Sequence, residues 1–283
     1  MDVTMRTIED VLQELEGERV LDLRNARAID PYGLLLLDLS AHAWHGLRTI
    51  RWPQRDNVRT WMRAMGLFAD IPAGVAGSHA MQASRALQPL TPIESEEGIR
   101  AVIERFGDAL AARYPLSENS QRSLISIMFE LFQNIPHHSN ATGQIDNVHG
   151  VAAMQEYEDS IFLVVGDIGI GIRRSLGLCE PFRGLSDEDA LEHVIVGGVS
   201  RHGDPGRGGE LRKIARLARI WEGEFVVRSG TSLFVAHEDA FDFRDVASFP
   251  GVQIAVRLPR TLLEKAPVEC DAENAFNQYD DAS

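Results

Sequence analysis

Glu130 and Asn134 stand four residues apart in a stretch whose apolar residues Leu124, Ile127, Met128, Leu131 and Ile135 keep the spacing of a helix lying on a core. That spacing brings the carboxylate and the carboxamide to one face, at the margin of the apolar stripe. Either the pair lies on a solvated edge, or it is buried and must bond something. A hydrated magnesium ion carrying phosphates is one such partner. The Asn134 side-chain oxygen is a hard ligand, and Glu130 can orient or deprotonate a nucleophile near a terminal phosphate. A second group follows the apolar run 161–165, where the chain reads Gly166-Asp167-Ile168-Gly169-Ile170-Gly171-Ile172. A carboxylate leaving a strand into spaced glycines can accept a hydrogen bond from an exocyclic amine while the backbone bends closely round a flat ring; a plain strand-to-loop turn is the alternative. The third group is Gly203-Asp204-Pro205-Gly206-Arg207-Gly208-Gly209, ahead of a helix expected over 210–221. Unbonded amides at a helix start, reached through glycines, suit phosphate, whereas a simple surface loop is the other reading.

The elements that must position these groups divide the chain. Over 1–75 the pattern alternates: a strand at 19–23, a helix-length apolar block at 33–44, a strand at 49–52 and a helix at 57–65 ended by Gly66. Residues 76–93 fall in a stretch rich in Ala, Gly, Ser and Pro, read as a linker or at most one loose strand. A second domain, 94–260, opens with a helix at 98–113 and continues with the helix that carries Glu130, for which Ser117 is a plausible N-cap and Glu118 suits the first turn. Pro136 is expected to kink or end that helix. Strands are expected at 161–165, 225–228, 233–236 and 252–258, with Ser229-Gly230 as a hairpin turn between the middle two. Residues 261–283 read as an acidic, unstructured tail. The fold class is therefore α/β.

Glu130 with Asn134, then Asp167-x-Gly169-x-Gly171, then a glycine loop before a helix, resembles the GHKL superfamily of gyrase, chaperone, histidine kinase and MutL ATPases. The resemblance implies a two-layer α/β sandwich with a mixed sheet on one side and helices on the other, ATP and Mg²⁺ lying between. It implies that Asn134 holds Mg²⁺, that Asp167 binds the adenine amine, and that Gly169 and Gly171 line the adenine pocket. Gly206, Gly208 and Gly209 would wrap the phosphates under a lid reaching back to about Gly198. Glu130 takes the general-base position of members that hydrolyse ATP or phosphorylate serine. His138, Ile172, Arg207 and Leu211 complete the expected nucleotide contacts, Arg207 with Arg201 and His202 as lid cations that screen phosphate charge. Glu210 stands where the family usually has another glycine, which favours binding over fast turnover.

The first domain resembles a STAS domain, the anti-sigma-factor-antagonist fold, through Val20-Leu21-Asp22-Leu23, Ala28-Ile29-Asp30-Pro31-Tyr32-Gly33-Leu34-Leu35 and Trp61-Met62-Arg63-Ala64-Met65-Gly66-Leu67-Phe68. Pro31 and Tyr32 fill the turn where regulatory members carry the phosphoacceptor serine, which points to docking or internal regulation. Together the two resemblances imply a signalling protein close in design to anti-sigma-factor serine kinases, acting on ATP and a protein partner and possible as a homodimer. The alternative is a non-catalytic interaction module in which nucleotide is structural or absent.

Charge narrows the partners. Lys and Arg number 28 against 42 Asp and Glu, a formal net charge of −14. Duplex nucleic acid and anionic membranes select clustered positive charge, so neither is expected as a partner. Cys179 and Cys270 carry no C-x-x-C spacing, and residues 1–10 lack the basic-then-apolar order of a secretory signal, so a cytoplasmic location is expected. No G-x-x-x-x-G-K-[ST] occurs, Gly169-Ile170-Gly171 lacks the third glycine of a dinucleotide fingerprint, and Gly198-Val199-Ser200-Arg201-His202 fails the nucleophile elbow at its last position.

Overall fold

The computed structural model describes residues 1–17, 20–43, 49–68, 86–93, 96–114, 118–138, 149–199, 209–237 and 240–261. The linker core and the acidic tail of the sequence reading lie largely outside them. The N-terminal segment runs β1 (Asp2–Val3), α1 (Ile8–Gly17), β2 (Val20–Asp22), β3 (Ala28–Ile29), α2 (Pro31–Ala43), β4 (Thr49–Arg51) and α3 (Asp56–Ala64). Its strands pair in parallel, Val3 with Ile29 and Leu21 with Ile50, as alternating strands and helices require. The rest of the chain runs β5 (Ala86–Ile93), α4 (Glu96–Ala111), α5 (Glu118–His138), β6 (Gly150–Glu156), β7 (Ser160–Asp167), α6 (Gly171–Leu176), α7 (Asp187–Ile195), α8 (Glu210–Ile220), β8 (Glu224–His237) and β9 (Ala240–Pro259).

Strands β5 to β9 form one sheet in the order β5-β6-β7-β9-β8. Every pairing in it is antiparallel, so the mixed sheet expected from the resemblance is corrected. The chain returns along its neighbour at β6–β7 and β8–β9, and such short connections permit only antiparallel pairing. Within 86–261 the sheet and α4 to α8 make two layers, and the N-terminal segment covers the sheet's other face. All eight residues of β7 are buried, and a strand buried along its whole length is one covered on both faces. Leu163, Val165, Val227, Ile254 and Val256 face a core shared with α4 to α8. Phe162, Val164, Val226 and Ala255 face a second core built with the N-terminal segment.

Helix α2 is the centre of that second core. Pro31 through Ser40 are all buried, including Leu34, Leu35, Leu36 and Leu37, and a helix apolar all round must be enclosed. It packs on β6, β7 and β9, and a Cβ added to Gly166 of β7 would stand 3.1 and 3.2 Å from Leu39 and Leu35. One ion pair fastens the layer. Arg228 of β8, fully buried, donates to both carboxylate oxygens of Glu9 in α1, at 3.0 Å for Nη2 to Oε2, and to the Ala247 carbonyl. Glu9 also accepts from the Ala247 amide at 3.0 Å.

Two local expectations change, and an open one is decided. Ser229-Gly230 is not a hairpin turn but an irregularity inside β8, where the register with β9 shifts between Ser229–Val252 and Gly230–Phe249. Gly230 has φ +62°, and such a glycine within a strand relieves a bulge without ending the ladder. Residues 225–228 and 233–236 are thus one strand. Ala86–Ile93 is an edge strand of the sheet, the strand alternative of the linker reading, with two register shifts around Pro89 that suit an edge. Helix α5 continues through Pro136 to His138. Proline removes a single donor, and this one falls in the last turn. Among the described residues, no helix is long and apolar enough to cross a membrane.

Candidate functional site

Asp167 is the last residue of β7 and is 3% exposed. Its Oδ1 accepts from the Gly169 amide at 2.7 Å, and its carbonyl accepts from Gln253 Nε2 at 2.8 Å. Gly251 closes over it with φ +79°, and a Cβ there would stand 2.1 Å from the Asp167 carbonyl oxygen and 2.6 Å from Oδ1. Both the backbone conformation and the space therefore demand glycine at 251. The carboxylate is an acceptor held in a fixed position by backbone on two sides.

Gly171 lies flush against the irregularity in β8. It has φ +75°, and a Cβ there would meet Ser229 Oγ at 3.0 Å and the Gly251 carbonyl at 3.2 Å. Ser229 Oγ accepts from the Ile172 amide at 2.9 Å, and Ile172 packs its side chain into the core. On the far side of α6, Asp187 accepts from the Thr231 amide and hydroxyl, each at 3.0 Å, and pairs with Arg173 at 3.2 Å. The segment leaving Asp167 is thereby tied at both ends to β8.

Helix α5 brings the second group to this point. Leu131, Phe132 and Ile135 are buried, while Glu130 and Asn134 are half-buried, as expected for the margin of the stripe. A Cβ added to Gly150 would stand 2.5 Å from Ile135 Cγ2, and Gly150 is the cross-strand partner of Asp167. The turn of α5 bearing Asn134 therefore lies beside the end of β7. The Ile168 amide reinforces this junction by donating to the His149 carbonyl at 3.3 Å. Asn134 Nδ2 is buried and has no hydrogen-bond partner among the described residues. An unbonded buried amide costs about 1–3 kcal/mol, so the group calls for a partner.

Of the third group, Gly206, Arg207 and Gly208 lie outside the described residues, as do the lid residues Arg201 and His202. Gly209 is described. It precedes α8 at φ +86°, and a Cβ there would stand 3.7 Å from both the Cα and the carbonyl oxygen of Gly198, itself at φ +66°. Gly198 and Gly209 thus stand side by side at the start of α8. Helix α5 touches both α6 and α8, the helices that follow Asp167 and Gly209 along the chain. Leu211 points into the core and is 7% exposed, which leaves its backbone as its route to a ligand. His138 ends α5.

Sequence reasoning missed Ser229, Gly251, Gln253 and Asp187, the residues that hold the Asp167 loop in place. Pro250-Gly251 inside an apolar strand pattern was the available sign of an irregularity there. Nothing local marks Asp187, whose partner is 44 residues away. Neither a protein-family model nor a curated protein matches the chain.

Proposed function

We propose that the chain binds Mg·ATP at the junction of α5, the end of β7 and the start of α8, and couples the nucleotide to contacts with a protein partner. The observation that carries this reading is the packing of Ile135 on Gly150, opposite Asp167, which brings the turn bearing Asn134, whose buried Nδ2 has no hydrogen-bond partner among the described residues, to the end of the strand that holds Asp167. Asp167 would accept from the adenine amine, with Gly169 and Gly171 giving the ring a flat approach. Rotating the Asn134 amide exchanges its nitrogen and oxygen, so the unbonded position fits a hydrated Mg²⁺, which would neutralise phosphate charge when bound. Glu130, one turn before Asn134, would take the proton of the attacking hydroxyl or water. The glycines 206, 208 and 209 would give the phosphates backbone amides. This is the reading of a GHKL-type regulator, hydrolysing ATP or phosphorylating a protein, with a STAS-like segment attached in cis.

The attachment itself supports regulation in cis. The apolar α2 that follows the STAS-like turn lies on the back of the strand that ends in Asp167, and Tyr32 at that turn is fully buried, so it offers no hydroxyl to a kinase. Calorimetric titration with ATP and Mg²⁺ tests the reading: saturable binding is expected, lowered by about 10-fold or more in Asn134→Ala and Asp167→Asn, with ADP release lost in Glu130→Ala. Binding without turnover, indifferent to Glu130→Ala, would select the non-catalytic module instead. No binding by the intact protein would sink both nucleotide readings.

A further inference from the structure

We propose that Asp38, His42 and His149 form a site for one divalent first-row transition cation, binding the N-terminal segment to the sheet. None of the three belongs to the nucleotide reading, so this proposal stands or falls separately. Asp38 and His42 are four residues apart on α2 and share a face of that helix. His149 immediately precedes β6, against which α2 packs. One ligand atom from each residue lies within 4.8 Å of the other two.

The chemistry of the cluster is incomplete without a cation. Asp38 is 6% exposed on a helix otherwise enclosed by leucines, where an unpaired carboxylate is expensive. Its Oδ1 accepts from the Phe68 amide at 2.9 Å, which orients the carboxyl, and its Oδ2 faces His149 Nε2 at 3.7 Å. That separation is too long for a hydrogen bond, and His149 Nε2 is buried with no hydrogen-bond partner among the described residues. The His42 and His149 rings stack with centroids 3.7 Å apart and planes at 23°, which sets both imidazoles beside Asp38. A dication accepting one nitrogen from each ring and Oδ2 from Asp38 would give His149 Nε2 a partner and the buried carboxylate a matching charge. Two imidazoles and one carboxylate suit Zn²⁺, Co²⁺ or Ni²⁺, whereas Mg²⁺ and Ca²⁺ prefer all-oxygen sets. Metal–ligand lengths of about 2.0–2.2 Å require the three atoms to draw together and the rings to turn out of their stack. The Phe68 amide supplies the outer hydrogen bond that metal-ligating carboxylates characteristically carry. Three protein ligands leave one position for water.

Titration of metal-stripped, full-length protein with Co²⁺ and Zn²⁺ tests the site. One Co²⁺ per chain is expected, with the visible absorption of low-coordinate cobalt, and Zn²⁺ should compete for it and raise the melting temperature. His42→Ala and His149→Ala should each weaken binding at least ~100-fold, beyond the loss typical of outer-shell changes. His193→Ala and His237→Ala should bind as the wild type does. If His149→Ala misfolds by circular dichroism, His149→Gln, which keeps a polar group, repeats the measurement. Absence of stoichiometric Co²⁺ uptake by the wild type overturns the proposal. So does unchanged affinity in the folded His42 and His149 variants, which would put the ion on other histidines.

Discussion

On one face of the five-stranded sheet lie α4, α5 and α8, helices with an apolar stripe and a polar side; on the other lies α2, with ten consecutive buried residues and no exposed side over that stretch. Alternate residues of the same strands serve both layers, Leu163 and Val165 one way, Phe162 and Val164 the other. The difference shows where each face can keep polar chemistry. An amphipathic helix has margins, and the margin of α5 carries Glu130 and Asn134. An enclosed helix has none, so any charge near it must be matched across the layer, as Arg228 is by Glu9 and as Asp38 would be by a cation.

Removing one partner of the buried pair breaks that comparison most sharply. Glu9→Ala strands Arg228, which is fully buried, and should cost about 3–5 kcal/mol in urea unfolding. A loss below about 1 kcal/mol would mean that the N-terminal layer is held by apolar contact alone. Leu39→Ala opens a cavity against Gly166 and should cost about 3 kcal/mol. If hydrogen exchange then shows β7 still fully protected while α2 opens, the two faces are separate cooperative units.

Smaller effects belong to the rim. Glu156, at the end of β6, accepts from the Tyr114 hydroxyl and from Arg113, and these bonds hold its carboxyl below the usual carboxylate range, the Tyr114 bond first. A depressed folded pKa contributes stability above the unfolded value and loses it as pH falls through the folded one. Glu156→Gln should therefore cost about 1.5 kcal/mol at pH 7, reduced by solvent screening, and the gap from wild type should close below about pH 4. Equal gaps at pH 7 and pH 3 would count against this assignment. Ser186 caps α7, its Oγ accepting from the Asp189 amide at 3.0 Å while the Asp189 carboxylate accepts from the Ser186 amide at 3.3 Å. Ser186→Ala should lower stability by about 1 kcal/mol, and because α7 carries Asp187, any accompanying drop in ATP affinity would measure how strongly that helix supports the Asp167 loop.

Much of the layout could be read along the chain. The stripe of α5, the apolar run of β7 and the amphipathic pattern of α8 are periodic, and each appears within a residue or two of its expected place apart from the longer ends of α5 and β7. The rest shares a cause. Ser229-Gly230 resembles a turn locally, but pairing with β9 on both sides holds it inside one strand. Ala86–Ile93 has the composition of a linker, and only its partner β6 makes it a strand.

The order of residues alone determined which groups could do chemistry, because helix and strand periodicity decide what shares a face: Glu130 with Asn134, and Asp167 at the end of a buried run. Tertiary structure alone decided that the turn of α5 meets that run through Ile135 and Gly150, that α2 closes the back of the sheet, and that Asp38, His42 and His149 converge across more than a hundred residues. Contacts of that range depend on how layers stack, and no pattern confined to one segment contains it.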